Sequence, residues 1–335
     1  MRPQSLLLLA LPGLSAAARY VVDISCRPDD EFFNSLKRGV QEGIHLAENA
    51  FSVMTDHADD QWVRKMAQYV LGTEDYEAKF NAAKITFSRV AAYEKEPPDV
   101  KPLKAEWNPR INMNVLPDKD WQGARSNLDV ELYCSDWHFE KEPYWKEIST
   151  ARPYTGKDGE TAKQCYRTDF VMGSGEKMPK SSTMRSSLYD LTAHTAALET
   201  NPNARKSDFI RPKVHTANIM DICLWFTEDT KRQGWPVVDA RRVEESKTDQ
   251  FRDNLQHGLT PIDGIKTFGV NMLHELTHTN QGGVLVDIGD DCYGWRCAGA
   301  LKTERNADSI AMLGLAMKLW SMEYYVEDDG TIHPF

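Results

Sequence analysis

Three residues in one short stretch have the types and the spacing needed to bind a metal ion and to move a proton. The segment FGVNMLHELTH contains His274 and His278, four positions apart, with Glu275 directly after the first histidine. Residues four apart on a helix lie one above the other, so both imidazoles can reach one ion. Zinc binds histidine pairs in this way and usually takes a third protein ligand, leaving one position for water. A carboxylate such as Glu275 can then act as the general base.

The surrounding residues predict that this pattern lies on a buried helix. Apolar positions recur beside the histidines at three- and four-residue steps. They are Ile265, Phe268, Met272, Leu273 and Leu276. Pro261 and Asp263 are typical of a helix start, and Gly282 with Gly283 is typical of a helix end. We therefore expect a helix that begins near Pro261 and ends before Gly282.

An acidic residue in the loop after this helix is expected to complete the metal site. Asp290 is the first candidate, because the glycines of this loop allow the chain to reverse and bring a carboxylate back to the ion. Asp287 and Asp291 compete for the same role. Tyr293, three residues after Asp290, can donate its hydroxyl to the oxyanion of a tetrahedral intermediate.

The order of these residues resembles a known family. HELTH is followed by Asp290-x-x-Tyr293-Gly294 and later by the sequence NADS at 306–309. This order is similar to that of the deuterolysin-type zinc endopeptidases of fungi, the aspzincins, which include lysine-specific members. The resemblance covers about 265–319 and implies a zincin-type fold and peptide hydrolysis.

The resemblance also implies a role for each matching position. The zinc ligands would be His274, His278 and Asp290, with one catalytic zinc ion. Glu275 would be the catalytic base, and Tyr293 would stabilise the oxyanion.

Asp308 matches an acid that lines the pocket for the residue after the scissile bond in lysine-specific members. Its presence predicts a preference for Lys or Arg there. The chain departs from the family at two places. Val286 and Asp287 stand where members usually carry Gly-Thr, and Ala311 stands where lysine-specific members carry a second acid.

Glu304 is an alternative third ligand. Glu304-x-x-x-Asp308 resembles the glutamate and the neighbouring aspartate of thermolysin-like gluzincins, whose metal helix also commonly reads HELTH. We favour Asp290, because Tyr293 and the NADS sequence also fit the aspzincin pattern.

Composition indicates an ordinary globular protein of 335 residues, with 41% hydrophobic and 27% charged residues. The formal net charge is −10 and the sequence has no basic run, so nucleic acid is not an expected partner. Residues 1–18 combine Arg2, a short apolar run and small residues, which predicts a secretory signal peptide. No later segment is apolar enough to span a membrane, so we expect a secreted, soluble protein. We also expect it to be a monomer and to act on proteins or peptides.

The six cysteines are expected to form disulfides, because a secretory signal implies an oxidising compartment. Cys292 and Cys297 are close enough in sequence to form a local bridge. Cys134 and Cys165 are expected to hold a surface insertion.

We expect one domain over 19–335. Apolar periodicity predicts class α+β, mainly helical with a small sheet, and the family resemblance implies that this domain is a zincin-type metallopeptidase. We expect a helical layer at 30–92, followed by strands at 111–116, 130–133 and 217–226. A loop-rich insertion is expected at about 134–214, with at most a short helix near 186–198. The metal-site region is expected at 262–320, and it includes an amphipathic helix at 306–320 that lies behind the metal site.

Two functions fit these observations. The first is a secreted zinc endopeptidase in which Glu275 is the general base. The second is a secreted zinc-binding or host-interaction protein that keeps a protease scaffold without turnover. The presence of Glu275 favours the first.

Overall fold

The structure is a computed structural model that describes residues 18–22, 26, 29–93, 106–108, 113–115, 128–134, 184–187, 218–222, 224–255, 258–289 and 292–335. Several sequence-based predictions therefore fall outside the described residues. They concern the signal peptide up to residue 17, most of the 134–214 insertion, Asp290, Asp291, Cys165 and Cys223.

Helices account for most of the secondary structure. They are α1 (Asp30–Asp56), α2 (Gln61–Leu71), α3 (Tyr76–Ala91), α4 (Leu224–Arg232), α5 (Ala240–Ser246), α6 (Asp249–Asp253), α7 (Pro261–Gly264), α8 (Phe268–His278), α9 (Trp295–Leu301) and α10 (Ala307–Trp320). The strands are β1 (Tyr20–Val22), β2 (Glu106–Asn108), β3 (Met113–Val115), β4 (Val130–Tyr133), β5 (Met184–Ser187), β6 (Asn218–Ile222), β7 (Tyr324–Val326) and β8 (Ile332–Pro334). This content agrees with a mainly helical α+β fold at a coarse level.

The long helix α1 packs directly against α8, the helix that carries the two histidines. Two glycines one turn apart on α1 allow the close approach. A Cβ on Gly39 would lie 2.4 Å from Cδ1 of Phe268, and a Cβ on Gly43 would lie 2.9 Å from the carbonyl oxygen of Gly269. The first turns of α8 are therefore seated on the backbone of α1.

Gly43→Ala should destabilise the protein by about 1–3 kcal/mol, because the added methyl group meets the backbone of α8 and forces the two helices apart. Urea denaturation of the variant and the wild type measures the difference. Ser52→Ala, at an exposed position of the same helix, is the matched control and should change stability by less than about 0.5 kcal/mol. Equal stability of Gly43→Ala and wild type would contradict this account of the contact.

Helix α10 lies behind α8, as the sequence predicts, but it is not amphipathic. Its residues from 307 to 317 are all buried, because α1, α2 and α8 surround it. Its apolar residues therefore form the centre of the core. None of the helices in the described ranges is long and apolar enough to cross a membrane.

A small mixed sheet has the strand order β1-β4-β6-β5. Strands β1, β4 and β6 are parallel, with Tyr20 opposite Val130 and Val130 opposite Asn218. Strand β5 is antiparallel to β6, with Met184 opposite Ile222, and it lies beside α8. Within the described part of the sheet, β5 is thus the outer strand nearest the metal-site helix.

Hydrogen bonds connect the sheet to the C-terminal end of α8. The Asn280 N–H donates to Oδ1 of Asn218 on β6 at 3.1 Å. The hydroxyls of Tyr93 and Thr279 are hydrogen-bonded at 2.9 Å. Thr279 is the C-cap of α8, so these contacts fix the point at which the chain leaves the metal-site helix.

One strand prediction and one helix prediction need correction. The predicted strand at 217–226 ends at Ile222, and the chain continues as helix α4. The short helix expected near 186–198 does not begin there, because Ser186 and Ser187 belong to strand β5. The first error occurs at a short apolar run, where periodicity does not separate strand from helix.

Two disulfides are present in the described chain. The predicted pair Cys292–Cys297 is confirmed. Cys134 is bonded to Cys26, with 4.8 Å between the Cα atoms, so the expectation that it holds the insertion together with Cys165 is wrong. The parallel pairing of β1 with β4 places Cys26 near Cys134 even though 108 positions separate them.

Candidate metal centre

Helix α8 begins at Phe268, and not near Pro261 as the sequence predicts. Pro261 opens the single-turn helix α7, in which the Thr260 N–H donates to Oδ2 of Asp263 at 2.8 Å. The start signals at Pro261 and Asp263 therefore belong to a separate element. The predicted end of the helix before Gly282 is confirmed.

Glu42 on α1 anchors the start of α8. Its Oε2 accepts the Thr267 hydroxyl at 3.2 Å, and its carboxylate also accepts a backbone hydrogen bond from Gly269. Oε1 accepts the Val238 N–H at 2.9 Å. Burial raises the pKa of Glu42, and these donors oppose the rise. A carboxylate at a helix N-terminus also interacts favourably with the helix dipole.

The two histidines and Glu275 converge as their spacing predicts. The Nε2 atoms of His274 and His278 are 3.1 Å apart. A ligand atom from each of the three residues lies within 4.8 Å of the others, so this group can hold a metal ion. Glu275 is only 7% exposed, which places its carboxylate inside the site.

Asp287 is the acid from the following loop that faces both imidazoles in the described structure. Its Oδ1 lies 3.3 Å from Nε2 of His274, and its Oδ2 lies 3.6 Å from Nε2 of His278. Asp290, the first candidate by sequence, lies outside the described residues. Asp287 had been a competitor for the same role.

The loop geometry explains how Asp287 reaches the site. The chain turns sharply after α8 at Gly282, where a Cβ would lie only 2.0 Å from the carbonyl oxygen of Leu276. The Val286 N–H then donates to the carbonyl of Arg305 at 3.2 Å. The Ile288 N–H donates to Oδ1 of Asn306 at 2.8 Å. Residues on both sides of Asp287 are therefore fixed to the start of α10.

The second nitrogen of each imidazole also has an oxygen partner. Nδ1 of His278 is hydrogen-bonded to the carbonyl oxygen of Leu285 at 2.7 Å. Nδ1 of His274 lies 3.8 Å from Oδ1 of Asp308. A neutral imidazole that donates from Nδ1 presents its Nε2 lone pair to a metal, so these partners orient both rings for coordination.

Asp308 does not line an open pocket. It is 2% exposed, its Oδ1 is 3.0 Å from the Lys266 ammonium, and its Oδ2 accepts the Gly294 N–H at 2.6 Å. Burial opposes ionisation, but these partners and His274 hold the pKa of Asp308 well below its usual range. The predicted substrate-binding role does not fit this geometry, because the carboxylate is enclosed and already paired.

The site favours positive charge. Burial lowers the pKa of His274, but the neighbouring carboxylates of Asp287 and Asp308 outweigh that effect and raise the pKa to about 10. Asp287 has a lowered pKa, since its contacts with His274 and His278 outweigh its own burial. Carboxylates that stabilise a protonated imidazole also stabilise a bound cation.

Tyr293 lies at the edge of this cluster. It is 52% exposed, and its ring centroid is 6.3 Å from that of His274. The carboxylate of Glu304, the rival ligand, lies 3.6 Å from Nε of Arg305, whereas that of Asp287 lies beside both imidazoles.

Sequence reasoning missed Glu42, Lys266 and the structural role of Asp263. Asp263 follows Thr260 by three positions, so the capping-box pattern was available as a signal. Glu42 and Lys266 carry no such local pattern, because their contacts form only when α1, α8 and α10 pack together.

No protein family model, curated protein or solved structure matches this chain in the comparisons with known proteins. The fold and the site geometry are therefore the basis for assigning a function.

Proposed function

We propose that this protein is a zinc-dependent endopeptidase. The observation that carries the proposal is the convergence of two imidazoles and one loop carboxylate beside a buried glutamate. Ligand atoms about 2.0–2.1 Å from a tetrahedral zinc ion lie roughly 3.3 Å from one another. The corresponding separations among His274, His278 and Asp287 are 3.1, 3.3 and 3.6 Å, with the last two measured to different carboxylate oxygens.

The donor set also fits zinc chemically. Two histidine nitrogens and one carboxylate are a known ligand set for catalytic zinc, and they leave a position open. When bound, zinc supplies a Lewis acid that polarises the scissile carbonyl and lowers the pKa of a water molecule to about 7.

The other roles belong to side chains around this set. Glu275 takes a proton from water and passes it to the leaving amine, a role that its enclosed position beside the imidazoles allows. Tyr293 donates its hydroxyl to the developing oxyanion from the edge of the site. Asp308 orients His274 through Nδ1.

Strand β5 offers a way to hold an extended peptide. It is one of the two outer strands of the described sheet, and it lies next to α8. A substrate segment can extend such an edge through main-chain hydrogen bonds, which recognise a peptide without reading its side chains. A preference for Lys or Arg is not part of the proposed activity, because Lys266 already neutralises Asp308.

The disulfides support a place outside the reducing cytosol. Cys26–Cys134 and Cys292–Cys297 both lie in the described chain, and such bonds persist in oxidising compartments. Secretion is therefore part of the proposal.

Purified protein should cleave casein or an unstructured peptide, and removal of the metal with a chelator should abolish cleavage. Stoichiometric zinc should restore the rate, whereas magnesium should not, because the donor set of imidazoles suits zinc. Fragment analysis by mass spectrometry measures the cleavage. Zinc binding without cleavage would favour the alternative of a non-catalytic zinc-binding protein.

A further inference from the structure

Hydrogen bonds to backbone N–H groups hold the turn that carries Tyr293. About half of the tyrosine surface faces solvent, so packing fixes its side chain less than that of a buried ring. The next two N–H groups are both bound by buried carboxylates. The Gly294 N–H donates to Oδ2 of Asp308 at 2.6 Å, and the Trp295 N–H donates to Oδ1 of Asp263 at 2.8 Å.

Asp263 is itself held in one orientation. Its Oδ2 accepts the N–H and the hydroxyl of Thr260 at 2.8 and 2.7 Å, which leaves Oδ1 directed at the turn. Gly294 makes the contact possible, because it has φ of +87° and a Cβ there would lie 2.6 Å from Oδ1 of Asp263. The carboxylate therefore lies against the backbone immediately after Tyr293.

The far side of the turn is equally fixed. Trp295 is fully buried, its indole N–H donates to the carbonyl of Glu327 at 2.8 Å, and its ring stacks on Tyr69 at 4.8 Å. The Cys292–Cys297 disulfide closes the same segment. Tyr293 thus projects from a backbone with few alternative conformations.

We propose that Asp263 is a positioning residue for Tyr293, setting the backbone from which the phenol reaches the reaction centre. This inference rests on the proposed function, in which the Tyr293 hydroxyl donates to the oxyanion. Catalytic groups must be held within about 0.5 Å of their working geometry, and a displacement of about 1 Å can lower a rate 10²-fold. Asp263 binds the turn and not the reacting atoms, so it would influence the rate by positioning and not by touching the substrate.

A double-mutant cycle tests the coupling. In Asp263→Asn one of the two accepting oxygens is replaced by an NH2 donor and the negative charge is lost, so the carboxylate's hold on Thr260 and Trp295 weakens with little change in shape. We expect Asp263→Asn to lower kcat roughly 10-fold with KM within about 2-fold of wild type. In a Tyr293→Phe background the same substitution should lower kcat by less than about 2-fold. Equal losses in both backgrounds would overturn the proposal.

Thr260→Val is the matched control. It removes the hydroxyl that binds Oδ2 of Asp263 but leaves the Oδ1 contact with Trp295 in place. It should loosen the same capping box while keeping kcat within about 2-fold of wild type. A loss of kcat as large as that of Asp263→Asn would mean that general loosening, and not the anchor, sets the rate.

Amide hydrogen exchange separates failure of this inference from failure of the proposed function. The Trp295 amide should exchange at least about 10-fold faster in Asp263→Asn than in wild type or Thr260→Val. An unchanged exchange rate of the Trp295 amide would contradict the claim that Asp263 holds this turn, whether or not the protein cleaves peptides. Absence of cleavage in wild type would reject the peptidase, and faster exchange would still support the anchor.

Discussion

Replacing Glu275 by Gln is expected to lower kcat for peptide hydrolysis on the order of 10³-fold, while the protein keeps its zinc. Glutamine has nearly the same shape as glutamate but cannot accept the proton that the carboxylate takes from water. The histidines and Asp287 are unchanged in this variant, so the ion should remain bound. Single-turnover cleavage of a peptide, together with elemental analysis for zinc, measures both quantities.

Glu304→Gln is the matched control for this variant. Glu304 is the rival metal ligand, yet in the structure its carboxylate lies beside Arg305. The substitution should leave both zinc content and cleavage rate within about 2-fold of wild type. An undiminished rate in Glu275→Gln would exclude the proton-transfer role, and zinc loss in Glu304→Gln would restore the gluzincin-like arrangement.

The parts of the site that sequence predicts well are those set by a single element. His274, Glu275 and His278 converge because helical geometry alone brings residues four apart to one face. The position of helix α10 was also predictable, although the burial of all its residues from 307 to 317 was not. That burial depends on α1, α2 and α8 enclosing it, which periodicity in one segment does not reveal.

The parts that sequence predicts less well depend on where separate segments meet. The sequence places the start of α8 at Pro261 and Asp263, whereas these residues form α7, and Asp263 supports the turn after Tyr293. Cys134 was assigned to a bridge with Cys165, whereas the parallel pairing of β1 with β4 brings Cys26 to it. In each case the residue types correctly indicated a helix start or a disulfide. Which helix starts there, or which cysteine is the partner, depends on tertiary packing.

The proposed third metal ligand shows the same limit most clearly. Three aspartates, Asp287, Asp290 and Asp291, lie within five positions of the loop. In an extended backbone successive side chains point in opposite directions, so the local backbone conformation decides which carboxylate faces the imidazoles. The family resemblance selects Asp290. The described backbone instead fixes Val286 and Ile288 to the start of α10, and the carboxylate between them faces both Nε2 atoms.

Asp287→Asn should therefore lower zinc affinity by more than about 100-fold, whereas Asp290→Asn should leave it nearly unchanged. Loss of a partner outside the ligand set already lowers metal affinity about 10–100-fold, and loss of a charged ligand should exceed that. Titration of zinc against a competing chelator measures the affinities directly. Zinc stabilises only the folded protein, so its addition should raise Tm in Asp290→Asn but much less in Asp287→Asn.

The pair of variants also decides between the two assignments without any activity measurement. Both substitutions remove one negative charge from the same short loop, so a general electrostatic effect would weaken zinc binding equally in both. A loss of zinc affinity in Asp287→Asn alone identifies Asp287 as a ligand. Two substitutions that remove the same charge can differ in this way only if one of the carboxylates coordinates the ion directly. A selective loss in Asp290→Asn would contradict the geometric assignment and support the aspzincin ligand set.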